Sequence, residues 1–339
     1  MNERYSRQIL FPKFGEQGQY EISQKHVLII GAGALGTGNA EILTRAGIGK
    51  MTIVDRDYVE WSNLQRQQLY TEDEARQRIP KAIAAKKRLQ QINSQVDITA
   101  HILDVIPETM EQLITGVDLI IDATDNFDIR MIINDISQKY QIPWIYGSCV
   151  GSYGISYTII PGETPCLHCL MENVPIGGLT CDTAGIISPT VNMVVVHQSV
   201  EAFKLLIGDY KALRKKLIAF DLWKNEQSLI RVEQLKKENC SSCGINRTYP
   251  FLSYENQLKT AILCGRDTVQ IRPNDQSGRD VSALAKLLKD KGFHVEYNAF
   301  LLSLEVDKQR LVMFQDGRTL VHGTKDIHQA RTLYHQYLA

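Results

Sequence analysis

From residue 26 onward, short apolar runs alternate with longer helical stretches. Residues 26–30, 51–54, 98–103, 117–121 and 143–145 predict strands. The segments 35–46, 80–92, 108–114 and 127–140 between them are each long enough for a crossover helix. That alternation is the pattern of a parallel sheet covered by helices. Pro80 suits a first helical turn, where no backbone N–H is required. Gly47 and Gly49 follow the first helix, where a left-handed cap is needed. After Gly151 the pattern changes. Residues 154–160 alternate as a strand stopped by Pro161-Gly162, and 188–207 predict a long, largely apolar helix, so the sheet is expected to become mixed.

Lys, Glu, Asn, Ser and Gly accumulate over residues 235–250 and mark a boundary. We expect two domains, 1–247 and 248–339. The second reads as a small α+β module: strand 268–272, helix 281–291, strands 299–306 and 310–314, an Asp316-Gly317 turn into strand 319–321, and helix 327–337. The chain contains no internal repeat. Lys plus Arg equals Asp plus Glu, 38 against 38, which leaves no net field to draw it to nucleic acid or an anionic membrane. It has no apolar stretch of about 18 residues, and its first residues lack a signal-peptide core. A cytoplasmic location is expected. Seven cysteines are too few for a disulfide scaffold at this length.

The chemistry begins after the first strand. Gly31-Ala32-Gly33-Ala34-Leu35-Gly36 is a Gly-x-Gly-x-x-Gly loop between a predicted strand and a predicted helix. Its glycines permit a tight turn and close approach of backbone to phosphate, and the helix N-terminus favours the anion. Asp55, at the end of the next strand, is placed to accept hydrogen bonds from ribose hydroxyls. This motif serves NAD and ATP alike. A triphosphate also needs cations, and Arg66 and Lys81 are suitable, with Arg7 a further one. The strand at 117–121 ends in Asp122-Ala123-Thr124-Asp125-Asn126. Asp125 and Asn126 then lie at the same crevice, where Asp125 is expected to hold magnesium against phosphates, with capping of the helix that follows as the other role, compatible with the first. Cys166-Leu167-His168-Cys169 and Cys240-Ser241-Ser242-Cys243 are two Cys-x-x-Cys knuckles. Together they make a closed, structural zinc site, whereas a redox pair calls for one motif at a helix start. Cys149 and Cys264 read as small buried apolar residues.

These elements, together with Arg4-Tyr5-Ser6-Arg7-Gln8, Ser62-Asn63-Leu64-Gln65-Arg66-Gln67, Pro80-Lys81 and Thr180-Cys181, resemble the MoeB/ThiF adenylyltransferases, relatives of the ubiquitin-activating enzymes. The resemblance runs from about residue 4 to 243. It implies a Rossmann-like fold with ATP in the loop at Gly31, Gly33 and Gly36 and Asp55 on the ribose. Asn63, Arg66 and Lys81 would contact phosphates, and Asp125 would organise magnesium. It further implies a homodimer in which Arg7 reaches the partner's ATP. The substrate would be the C-terminal glycine carboxylate of a ubiquitin-like sulfur carrier, with a sulfur donor such as a cysteine desulfurase as another partner. Cys181 corresponds to a cysteine tied to sulfur transfer in the ThiF branch. The last module departs from longer members that end in a rhodanese domain, because the segment from Cys264 lacks a Cys-x-x-Gly-x-x-Arg loop. The module resembles instead the tail of some bacterial ThiF-type proteins, which implies a thiamine-pathway carrier over a molybdopterin one. An NAD-dependent oxidoreductase and a non-catalytic carrier-binding scaffold are the alternatives.

Overall fold

The computed structural model describes residues 3–171, 184–253, 260–262, 267–272 and 279–338. Strand β1 (His26–Ile30) is buried along its whole length. Val27 and Ile29 enter one apolar layer, Leu28 and Ile30 the other. A strand with both faces covered belongs at the centre of a parallel sheet. β2 (Lys50–Asp55) and β4 (Leu119–Asp122) flank it in parallel, setting Ile30 opposite both Val54 and Asp122. β3 (Asp97–Ile102) lies outside β2, and β5 (Trp144–Val150) outside β4, again in parallel. β6 (Tyr153–Ile159), β7 (Leu217–Asp221) and β8 (Glu226–Ile230) then add antiparallel strands. The order β3-β2-β1-β4-β5-β6-β7-β8 is therefore a parallel sheet that becomes mixed.

Before β1 come α1 (Ser6–Ile9) and α2 (Gly15–Ser23). Helices α3 (Ala34–Ala46), α5 (Lys81–Ile92) and α9 (Ser188–Leu206) cover one face of the sheet, through residues such as Leu43, Leu89 and Val194. α6 (Pro107–Leu113) and α7 (Phe127–Tyr140) cover the other, through Met110, Ile133 and Ile136. The short helices α4 (Glu72–Arg76) and α8 (Leu167–Met171) complete this part. Gly47 ends α3 in the left-handed conformation, φ +81°. Pro80 stands just outside α5 with ψ 134°, where it directs the chain into the helix instead of occupying its first turn. Among the described residues, no helix is long and apolar enough to cross a membrane.

The chain divides into two units, Met1–Asn256 and Gln257–Ala339. The second holds β9 (Thr260–Ile262), β10 (Thr268–Ile271), α10 (Val281–Asp290), β11 (Val295–Tyr297), β12 (Leu301–Val306), β13 (Gln309–Phe314), β14 (Thr319–His322) and α11 (Ile327–Tyr337). Its strands form an antiparallel sheet in the order β11-β12-β13-β14-β10-β9. Alternate residues Leu302, Leu304, Leu311, Met313 and Val321 share an apolar cluster with α10 and α11.

Candidate functional site

β1 leads to β2 on one side, while β4 lies on its other side. This reversal opens a crevice at the carboxyl ends of the strands, the usual ligand position in such sheets. The loop Gly31–Gly36 forms its floor. Gly31 has φ +97°, and a Cβ there would meet the Ala123 carbonyl oxygen at 2.5 Å. A Cβ on Gly36 would stand 1.9 Å from the Gly31 oxygen. Both positions therefore need glycine, one for conformation and one for space.

Asp55, at the end of β2, braces this loop. Its carboxylate accepts from the Ala32 N–H at 2.6 Å and from the Asp57 N–H at 2.7 Å. Burial pushes its carboxyl up from the ordinary range, while the Lys81 charge pulls the other way. Lys81 opens α5 and is itself buried, with its ammonium 3.6 Å from Asp57. The Tyr70 hydroxyl lies 2.6 Å from the Ala32 carbonyl and 3.1 Å from that of Lys81, which joins the glycine loop to the start of α5. Asn63 is buried, and its Oδ1 accepts from the Glu60 N–H at 3.0 Å in a capping box. Arg66 donates to the Ser62 carbonyl at 2.8 Å.

On the far side of the crevice, Asn126 caps α7 by accepting from the N–H groups of Asp128 and Ile129. The cap role weighed for Asp125 thus falls to its neighbour, and Asp125 is left exposed. Beneath this turn lies an ion pair that the sequence did not disclose. Asp122 is fully buried and takes the Arg130 Nε–H at 3.0 Å, along with the N–H and hydroxyl of Thr124. Arg130 also donates to the carbonyls of Thr124 and Gly147 and lies over the Tyr146 ring. A carboxylate inside an otherwise apolar strand demands such a partner, and that is the signal that could have revealed it. Gln198 and Asn39 continue the buried polar chain, Gln198 donating to the Asp122 carbonyl at 2.8 Å and accepting from Asn39 at 2.8 Å.

Arg7 does not reach this crevice in its own chain. It is exposed on α1. That segment is anchored through Arg4 to the Ile92 carbonyl, through Tyr5 to Asn93, and through Gln8 to the Ala46 carbonyl. Ile92 and Lys81 are opposite ends of the 12-residue helix α5, which spans about 18 Å. Cys181 and Cys264 lie outside the described residues. Cys149 is half-buried on β5 against the α9 side of the core.

The two knuckles do meet. Sγ–Sγ distances are 3.9 Å for Cys166–Cys169, 3.7 Å for Cys166–Cys240 and 3.5 Å for Cys169–Cys243, and all four thiols are buried. Thiolates about 2.3 Å from one tetrahedral zinc stand about 3.8 Å apart, so the donor set fits that ion. Among the described residues this is the one cluster of its kind. Adjacent residues of α7 hold the knuckles in place. Asn134 accepts from the Leu167 N–H at 2.8 Å, and Asp135 accepts from the Phe251 N–H at 2.9 Å and from the Ser242 hydroxyl. His168 lies beside the cluster, its Nδ1 3.1 Å from the Ser242 hydroxyl.

Residues 5–242 match the ThiF family. The chain is similar to the sulfur carrier protein ThiS adenylyltransferase of Bacillus subtilis (strain 168), with 53% identity over 338 residues and 100% of each chain covered. It is also similar to the sulfur carrier protein adenylyltransferase of Thermus thermophilus, with 32% identity over 249 residues, 71% of this chain and 90% of the other. A crystal structure of E. coli MccB with ATP superposes with a TM-score of 0.62 at 22% identity, covering 72% of this chain and 75% of that one, a likeness of fold.

Proposed function

This chain belongs to the ThiF family, and we propose that it uses ATP to adenylate the C-terminal carboxylate of a ubiquitin-like sulfur carrier of the ThiS type. The observation that carries this reading is the full-length likeness to a ThiS adenylyltransferase. Membership of an adenylyltransferase family supports ATP over NAD in the glycine loop, and activation over mere carrier binding.

In this reading the phosphates lie along the loop at the start of α3, where backbone N–H groups face the anion. Gly31, Gly33 and Gly36 give the backbone its close approach, and Asp55 meets the ribose. Lys81 and Arg66 counter the phosphate charge, the Asn63 amide donates to the phosphates, and Asn126 faces them from across the crevice. A carboxylate oxygen of the carrier attacks the α-phosphorus, the bond to the pyrophosphate oxygen breaks, and pyrophosphate leaves with its electron pair. The product is a mixed anhydride of the carrier's terminal glycine with AMP. No protein nucleophile takes part, so positioning and charge neutralisation supply the catalysis. Magnesium held by the exposed Asp125 would offset charge on the departing pyrophosphate. The four cysteines hold zinc, which pins residues 240–243 to residues 166–169.

Because Arg7 is anchored at the end of α5 remote from Lys81, we assign it to the partner's crevice in a homodimer. Its own chain offers no short route. Cys181 is assigned to later sulfur transfer, with the sulfur supplied by a donor such as a cysteine desulfurase. The site of action is placed in the cytoplasm, and the pathway is that of thiamine. The test is ATP–pyrophosphate exchange with purified carriers. Exchange should require a ThiS-type carrier and fail with a molybdopterin-type one. Equal exchange with both would remove the pathway assignment, and exchange with neither would remove the activity.

A further inference from the structure

Four thiolates around one divalent zinc ion leave a net negative charge in a buried cluster. Such charge calls for N–H donors aimed at the sulfurs, and groups of that kind decide how tightly a metal is held. His168 belongs to the Cys166–Cys169 knuckle by sequence, yet its ring turns towards the other knuckle. Its Nδ1 lies 3.1 Å from the Ser242 hydroxyl oxygen and 3.9 Å from the Cys240 Sγ. A ring nitrogen can meet these atoms as donor or acceptor, and only as a donor does it stabilise a thiolate.

The neighbouring groups decide which. Asp135 is fully buried and accepts from the Phe251 N–H at 2.9 Å and from the Asn134 amide at 3.4 Å. An ionised carboxylate has no proton to give, so the Ser242 hydroxyl, also fully buried, directs its one proton to Asp135. The Ser242 oxygen then turns only lone pairs to the ring, and the 3.1 Å contact requires the proton on Nδ1. The same N–H faces the Cys240 sulfur. Phe251 packs edge-on against the ring, 5.5 Å between centroids, so one carboxylate places both the hydroxyl and the ring's support.

We propose that the His168 Nδ1–H is a donor to the Cys240 thiolate and governs how tightly the protein keeps its zinc. Asp135 and Ser242 are positioning residues that fix the ring's tautomer. The relay runs from α7 through one knuckle to a ring carried by the other, so it joins the two knuckles by a route that includes no metal ligand. This rests on the zinc reading above and adds three residues to it.

Two measurements on the zinc-loaded full chain test it. Long-range proton–nitrogen spectra of histidine-labelled protein at mildly alkaline pH should show His168 with its proton on Nδ1, and Ser242→Ala should abolish that preference. Competition with a chromophoric chelator then gives the zinc affinity. His168→Phe keeps an aromatic ring against Phe251 but removes the donor, and should bind zinc about 10–100-fold more weakly. His168→Asn, whose amide nitrogen is bonded to Cγ as Nδ1 is, should hold zinc nearly as wild type does. His168→Gln carries its nitrogen one bond further out, in the place of Nε2, and should behave like His168→Phe. A proton on Nε2 in the wild type overturns the assignment, and this spectrum decides even where a variant fails to fold. Unchanged zinc affinity in His168→Phe overturns it too. So do equal losses in the Asn, Gln and Phe forms, which is the result of a packing role. If folded wild-type protein binds no zinc at all, the zinc reading fails first, an outcome that metal analysis alone tells apart from these.

Discussion

Arg130→Met is the perturbation whose consequence follows most directly from the geometry. It removes the partner of Asp122, which is fully buried, and leaves the carboxylate with only the Thr124 donors. It also frees the carbonyls of Thr124 and Gly147. Breaking a buried pair by deleting one member costs about 3–5 kcal/mol. In a unit of this size that lowers the melting temperature by roughly 6–20 °C. The pH dependence gives a second, independent sign. Burial raises the Asp122 carboxyl above its unfolded value, and the Arg130 charge opposes that rise. A group raised in the folded state stabilises most at low pH and loses that contribution as pH climbs through its folded value. Without Arg130 the folded value moves further up, so the deficit against wild type should shrink at pH 5 and widen by pH 8. Calorimetric melts of both proteins across that range supply the measurement. A variant that melts within 2 °C of wild type, or whose deficit ignores pH, would refute the reasoning.

Metal analysis of protein purified without added metal should find about one zinc per chain, and Cys166→Ser should lower both zinc content and melting temperature; well-folded, metal-free protein would sink the assignment. Asp125→Ala should fold normally, because the side chain is exposed, and slow pyrophosphate exchange about 10²–10³-fold. Arg7→Ala should be similarly impaired, yet mixing the two inactive proteins should restore up to about a quarter of wild-type activity through heterodimers with one complete site. A mixture still dead after verified subunit exchange would place Arg7 outside the partner's crevice.

The central strands β1 and β4 were legible because they are buried on both faces and therefore appear as largely apolar runs. The ends of β1, α7 and α11 fall where the residue pattern puts them. β8 was not legible, since every residue in it is exposed and no apolar alternation marks it. The cysteine knuckles were visible through spacing alone, although their supports on α7 were not. Asn134 and Asp135 sit inside a helical run, and nothing in their identity says that each holds a different knuckle. Asp125 and Asn126 are both good caps by residue type, so only the backbone could decide that Asn126 takes the role.

The most direct measurement is the intact mass of a ThiS-type carrier after incubation with this protein and Mg-ATP. The carrier should gain the mass of one adenylyl group, the modification should map to the terminal glycine, and a carrier ending in a glycine amide should gain nothing. A carrier of unchanged mass in the presence of folded, zinc-loaded protein would contradict carboxylate adenylation, as would an adenylyl group on any other residue.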